Sequence, residues 1–192
     1  MILAWHLVWT CYGWWFPNDP RGSWSKEVWK PELQESGDIE ERGRRATQPS
    51  WSEMRQWFSS AQRKLKYQPI LLDESAKQIV RRVVAQYAQL HNYEILALAV
   101  MPEHIHIVVG FHNHRYEKIV QAFKSVSSRQ LRKFLCLAAL PATRNLSRAA
   151  GSTAKQKPHP VWSRGYWVRY LDTEEAVSNA IRYVNRQQFK AP

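Results

Sequence analysis

Met101-Pro102-Glu103-His104-Ile105-His106-Ile107-Val108-Val109 opens on a turn signal and runs on into branched apolar residues. Such a run reads as a buried strand. Successive strand side chains leave by opposite faces, so His104, His106 and Val108 share one face while Ile105, Ile107 and Val109 share the other. The second set can seal a core. The first sets two imidazoles side by side on a rigid support, each offering a ring-nitrogen lone pair, which is half of a metal site. An isolated His-x-His is more often a hydrogen-bonded pair at a sheet edge. His112 and His114 repeat the spacing after Gly110 without an apolar strand around them, and they read as loop histidines. The first pair needs a partner elsewhere to mean more.

A candidate partner lies near the C-terminus, between Asp172 and Gln187. Asp172 with Glu175 is a capping-box variant, and Glu174 and Glu175 sit at the positive end of the helix it would start. Val177, Ala180, Ile181 and Val184 recur at helical spacing and form its buried stripe. Tyr183 and Gln187, four apart, share a face at the border of that stripe. Alone, such a tyrosine is a core residue with its hydroxyl in water, and such a glutamine is solvated.

The remaining elements set the fold. Ile2 to Trp9 reads as a central strand, without the basic flank or cleavage site of a signal peptide. Asp73 to Leu90 is an amphipathic helix, Tyr93 to Val100 a strand, Tyr116 to Ala139 a second helix and Val161 to Leu171 a fourth strand before the tyrosine helix. The order is strand, insertion, helix, strand, strand, helix, strand, helix. It predicts a ferredoxin-like (RRM-like) α+β fold: an antiparallel sheet with helices on one face, plus a C-terminal helix bearing the tyrosine. One domain is expected over residues 1–192, with an irregular Trp-rich insertion at about 14–68.

Of the ten tryptophans, Trp14, Trp15, Trp24, Trp29, Trp51 and Trp57 fall in or beside that insertion. Most are expected in a small satellite core, with one or two free to stack on bases. The chain of 192 residues, 44% of them hydrophobic, can bury one substantial core, and no apolar run is long enough for a bilayer. Cys11 and Cys136 lie far apart, which argues against a disulfide or zinc scaffold and for a reducing, cytoplasmic setting. The formal charge of +12 and pI of about 10.0 favour a polyanionic partner. Leu140 to Pro160 carries Arg144, Arg148, Lys155 and Lys157 with no acidic residue, and reads as a basic loop crossing a phosphate backbone.

His-x-His on a strand followed by Tyr-x-x-x-Gln on a C-terminal helix resembles the HUH single-strand nucleases, and among them the single-tyrosine transposases. His104-Ile105-His106 meets the first pattern and Tyr183 to Gln187 the second. Phe123 to Arg129 resembles the basic start of the middle helix in REP-associated relatives and their insertion-sequence kin. Val161 to Trp167 resembles the strand before their tyrosine helix. The likeness covers about residues 1–13 and 70–188 and is specific through combination and order. REP-associated relatives often carry asparagine four residues after the tyrosine, so Gln187 is closer to the insertion-sequence enzymes.

The resemblance implies a metal-dependent single-stranded DNA endonuclease and strand transferase acting near DNA hairpins. A phenol with an ordinary pKa of ~10 costs about 4 kcal/mol to ionise at neutral pH, so it needs an electrophile made ready for it. His104, His106 and the Gln187 amide oxygen would hold Mg²⁺ or Mn²⁺. Tyr183 would then attack to give a 5′-phosphotyrosine and a free 3′-hydroxyl. Lys124, Arg129, Arg164 and Arg169 are the candidates for the DNA groove. The partner is single-stranded or hairpin DNA, not a membrane, and the protein is a monomer or a homodimer with exchanged tyrosine helices. Two rivals stand beside this reading. One is a catalytically silent DNA-binding regulator derived from a transposase. The other is a metal-dependent hydrolase in which His104, His106 and a carboxylate such as Glu103 activate water. Glu103 adjoins His104 and is expected to point away from the histidine face.

Overall fold

Eight regular elements follow one another in a computed structural model that describes residues 1–20, 33, 49–138 and 159–188. They are β1 (Ala4–Thr10), α1 (Trp51–Arg63), α2 (Glu74–Leu90), β2 (Ile95–Val100), β3 (His104–Gly110), α3 (Tyr116–Ala138), β4 (Trp167–Leu171) and α4 (Glu174–Gln188). The strands pair antiparallel in the order β2-β3-β1-β4. With α2 and α3 as crossovers this is the expected ferredoxin-like α+β core. Met101-Pro102-Glu103 makes the tight link between β2 and β3, closed by the Met101 N–H donating to the His104 carbonyl at 2.9 Å.

The alternation in β3 divides the molecule into two layers of core. Ile105, Ile107 and Val109 join Leu7 and Trp9 of β1 beneath Val80 and Val84 of α2 and Ile119 and Phe123 of α3. Val108 faces the other way, into a smaller cluster with Ala4, Ala97, Ala99, Leu171, Ala180 and Val184. α4 therefore lies on the face that carries the histidines. The alanines of β2 let the helix come close, and burial of a side chain such as Val184 contributes roughly 1.5–3 kcal/mol to holding it there.

Local chemistry sets the helix ends. The Asp73 carboxylate accepts the Ala76 N–H at 2.7 Å and starts α2. The chain leaves α2 through His91 and Asn92, the latter at φ 56°, a conformation asparagine tolerates. α4 is capped one residue later than expected: the Thr173 hydroxyl, not Asp172, accepts the Ala176 N–H at 3.1 Å.

Two further expectations need correction. The Trp-rich insertion contains a regular helix, α1, which follows a complete Ser50–Glu53 capping box. Trp57 and Phe58 of α1 pack against Phe16, Leu33 and Ala61 as a satellite core, whereas Trp51 is largely exposed. Trp24 and Trp29 lie outside the described residues. The fourth strand is shorter than expected: Trp162 makes only an isolated bridge to Cys11, and regular pairing begins at Trp167. The carbonyls of Ser163, Arg164 and Gly165 turn instead to the Lys124 ammonium, at 2.9, 3.2 and 2.7 Å. Apart from His159 and Pro160, the basic segment from Leu140 onward lies outside the described residues.

Candidate active site

Three histidines meet on the α4 face of the sheet. His104 and His106 stand two apart on β3, and their Nε2 atoms face each other at 3.0 Å. The other nitrogen of each ring is tied. His104 Nδ1 lies 3.1 Å from a Glu103 carboxylate oxygen, and His106 Nδ1 lies 3.1 Å from Nε2 of His6 on β1. Glu103 does not point away, because it sits in the turn before β3 begins and folds back on His104. The hydrogen bond from His104 holds its carboxyl below the ordinary carboxylate range. His6 and His106 are both buried.

His6 was not evident as a site residue from the sequence. It becomes one because β1 pairs with β3 so that His6 lies opposite Val108 and Val8 opposite His106, putting His6 diagonal to His106 on the same face. No spacing rule reveals that register. Burial, with the Arg169 guanidinium a smaller contributor, pushes the His6 pKa from 6.5 down to about 4. Between those pH values the unfolded chain binds a proton that folded His6 refuses, so stability falls as pH drops through this window. In metal-free buffer the thermal midpoint should decline from pH 6.5 towards 4, and His6→Leu should flatten the decline. Circular dichroism melts at several pH values check this, and parallel curves for the two proteins would remove His6 from the acid response.

Tyr183 arrives from α4. Its ring centroid lies 5.5 Å from that of His106 and 5.9 Å from that of His6, and the residue is 49% exposed. Gln187, one turn further on, is buried, and its amide makes no hydrogen bond among the described residues. The neighbouring Gln188 amide donates to the Leu98 carbonyl and ties this last turn of the helix to β2. Beside the histidines a cavity of about 780 Å³ opens, lined among others by His6, His106, Trp167, Arg169, Asn179 and Tyr183.

Among the described residues no group of three or more His, Cys, Asp or Glu side chains forms a metal cage, so the strand histidines would supply two ligands to a divalent cation. Cis ligands of an octahedral ion held at ~2.1 Å lie about 3.0 Å apart, and the facing Nε2 atoms are separated by 3.0 Å. Both rings can present a lone pair at Nε2 because both Nδ1 atoms have partners, the arrangement usual for ligating histidines. His104 and His106 would hold the ion. Gln187, buried on α4 one turn beyond Tyr183, is the remaining ligand candidate.

The four DNA candidates fall in different places. Arg169 is exposed on β4 opposite His6 and lines the cavity. Arg164 is exposed in the loop just before it. Lys124 gives all three ammonium hydrogens to loop carbonyls and so holds that loop in place. Arg129 lies on α3, in a groove shared with Val83 and Tyr87 of α2, on the opposite side of the sheet. His112 and His114 are loop residues. His112 Nδ1 accepts the His114 N–H at 2.9 Å, and His114 Nδ1 meets the Tyr93 hydroxyl at 2.8 Å. Among the described residues no helix is long and apolar enough to cross a membrane.

No curated protein matches the sequence. Two solved structures are among those that match. One, from Deinococcus radiodurans R1 and provisionally named a transposase, is 16% identical over 97% of this chain and 92% of its own, with a TM-score of 0.40. The other is a REP-associated tyrosine transposase bound to a REP hairpin. It is 10% identical with a TM-score of 0.42, and the match covers 95% of this chain but only 64% of that one. The family described as IS200-like transposases matches residues 64–139, which hold α2, β2, β3 and α3. That span contains His104 and His106 and stops before Tyr183. Over these residues the chain is a match to the IS200-like transposases, the single-tyrosine family that its motifs resemble.

Proposed function

We propose that the chain is a metal-dependent single-stranded DNA endonuclease and strand transferase, acting beside DNA hairpins through a 5′-phosphotyrosine on Tyr183. The observation that carries this reading is the approach, within one chain, of the Tyr183 ring to His106, whose Nε2 faces that of His104. Tyr183 is half exposed at the mouth of a cavity wide enough for unpaired nucleotides, and Trp167 and Tyr166 offer ring surface there for a base. Arg169 supplies positive charge for the backbone at the cavity, and Arg164 is exposed in the loop before β4.

His104 and His106 would hold Mg²⁺ or Mn²⁺, which when bound would supply polarisation of a phosphate oxygen. The chain's own residues do the rest. α4, docked through Ala180 and Val184, fixes the helix from which Tyr183 would reach the phosphorus. The Tyr183 oxygen–phosphorus bond forms as the bond from phosphorus to the 3′-oxygen breaks, and the phenol proton is balanced by the proton gained at the 3′-hydroxyl. The phosphodiester energy is kept in the adduct, so a second 3′-hydroxyl can reverse the step and join strands without ATP.

The test is a labelled hairpin with a single-stranded flank, incubated with Mn²⁺ and run on a denaturing gel. A covalent adduct that maps to Tyr183 by mass spectrometry is expected. Cleavage without an adduct would favour water activated near Glu103, and binding without cleavage would favour a silent regulator. Single-stranded or hairpin DNA should also bind more tightly than a full duplex of the same sequence, since the aromatic-lined cavity suits unpaired bases. Arg169→Ala should reduce the salt slope by about 0.7 if it meets one single-strand phosphate. Titrations at several salt concentrations measure both effects, and equal or tighter duplex binding would count against the proposal.

A further inference from the structure

We propose that His6 is a positioning residue for His106: it accepts the Nδ1 proton of His106 and so fixes the tautomer and ring angle that aim Nε2 at the shared site. The inference rests on the metal-binding reading above and adds a member to it. The two strand histidines are held in the same way by different groups. Glu103 takes Nδ1 of His104 from the preceding turn, and His6 takes Nδ1 of His106 from the adjacent strand, each at 3.1 Å. For both Nε2 atoms to offer lone pairs to one ion, both ring protons must sit on Nδ1, and each then requires an acceptor. For His106 that acceptor is His6 Nε2, which leaves the His6 proton on its own Nδ1.

The surroundings of His6 are built to hold it still. The residue is 6% exposed, and it stands edge-on to Trp167 at 5.4 Å and to Tyr183 at 5.9 Å between ring centroids. Its Nε2 is spent on His106, so it cannot also be a ligand through that atom.

The test compares wild type, His6→Leu and His6→Gln, each first shown to be folded by circular dichroism. Mn²⁺ affinity is read by electron paramagnetic resonance without DNA. Leucine fills the site but accepts nothing, and Mn²⁺ should bind roughly 10–100-fold more weakly. Glutamine can place its carbonyl oxygen near the former Nε2 position, and affinity should return close to wild type. In the wild-type protein loaded with Mg²⁺, long-range ¹H–¹⁵N spectra should show His106 protonated at Nδ1 and His6 as its acceptor. If His6→Leu binds Mn²⁺ as wild type does, His6 has only a packing role and the metal site stands without it. If folded His6→Gln is as weak as His6→Leu, the acceptor argument fails. If the wild type takes up no Mn²⁺, the metal-site reading falls and this inference with it.

Discussion

Tyr183→Phe should abolish cleavage of a single-stranded hairpin substrate while leaving its binding close to wild type. The substitution removes one oxygen and keeps the ring, so the contacts of that ring with His106 and His6 survive and α4 stays docked through Ala180 and Val184. Loss of a nucleophile that no neighbour replaces lowers the rate by several orders of magnitude. The nearest substitutes are poorly placed. Tyr166, which lines the same cavity, and Tyr170 both have their rings packed against Tyr116. A time course with end-labelled DNA measures cleavage, and a gel-shift titration of the same DNA measures binding. Normal cleavage by the variant would sink the assignment of Tyr183.

The second large effect concerns the strand histidines. His104→Ala or His106→Ala should each eliminate Mg²⁺- or Mn²⁺-dependent cleavage, because a single remaining imidazole is half of the facing pair. His112→Ala and His114→Ala should be mild, since those rings only brace a loop on Tyr93. Mixing experiments sharpen the point. Tyr183 approaches the His106 of its own chain, so a mixture of Tyr183→Phe and His106→Ala proteins should remain inactive. Restored cleavage in the mixture would mean that tyrosine helices are exchanged between two chains. An essential second pair and a dispensable first would mean that the wrong His-x-His has been chosen.

Much of this was legible in the sequence, for physical reasons that differ from place to place. The period-two alternation in residues 104–109 fixes which side chains meet the core, and the observed burial follows it. The stripe of Ala180 and Val184 likewise announces the packed face of α4, and with it the side from which Tyr183 projects. What escaped depends on contacts between distant residues. His6 joins the site only through strand register, which no local pattern encodes. Lys124 reads as a free cation in a basic helix, but the loop that consumes it lies 39 to 41 residues away. α1 is a different omission: Ser50 and Glu53 form a local capping box that was present to be read, but the tryptophans around it obscured the amphipathic period.

The Lys124 contacts depend on the shape of the ammonium. An ammonium is a tripod, three donors radiating from one atom, while a guanidinium is a flat fork. Three carbonyls from successive residues converge on the tripod here, and a fork cannot meet them from a single point. Arginine at this position would keep the charge and lose the latch, so an exchange that looks conservative would release the rim from which Arg164 extends. The same contacts change what the charge count means. One of the cations behind the formal +12 already has its donors taken by the protein's own carbonyls, so the contacts offered to a nucleic acid depend on where the positive groups remain bare, not only on how many there are.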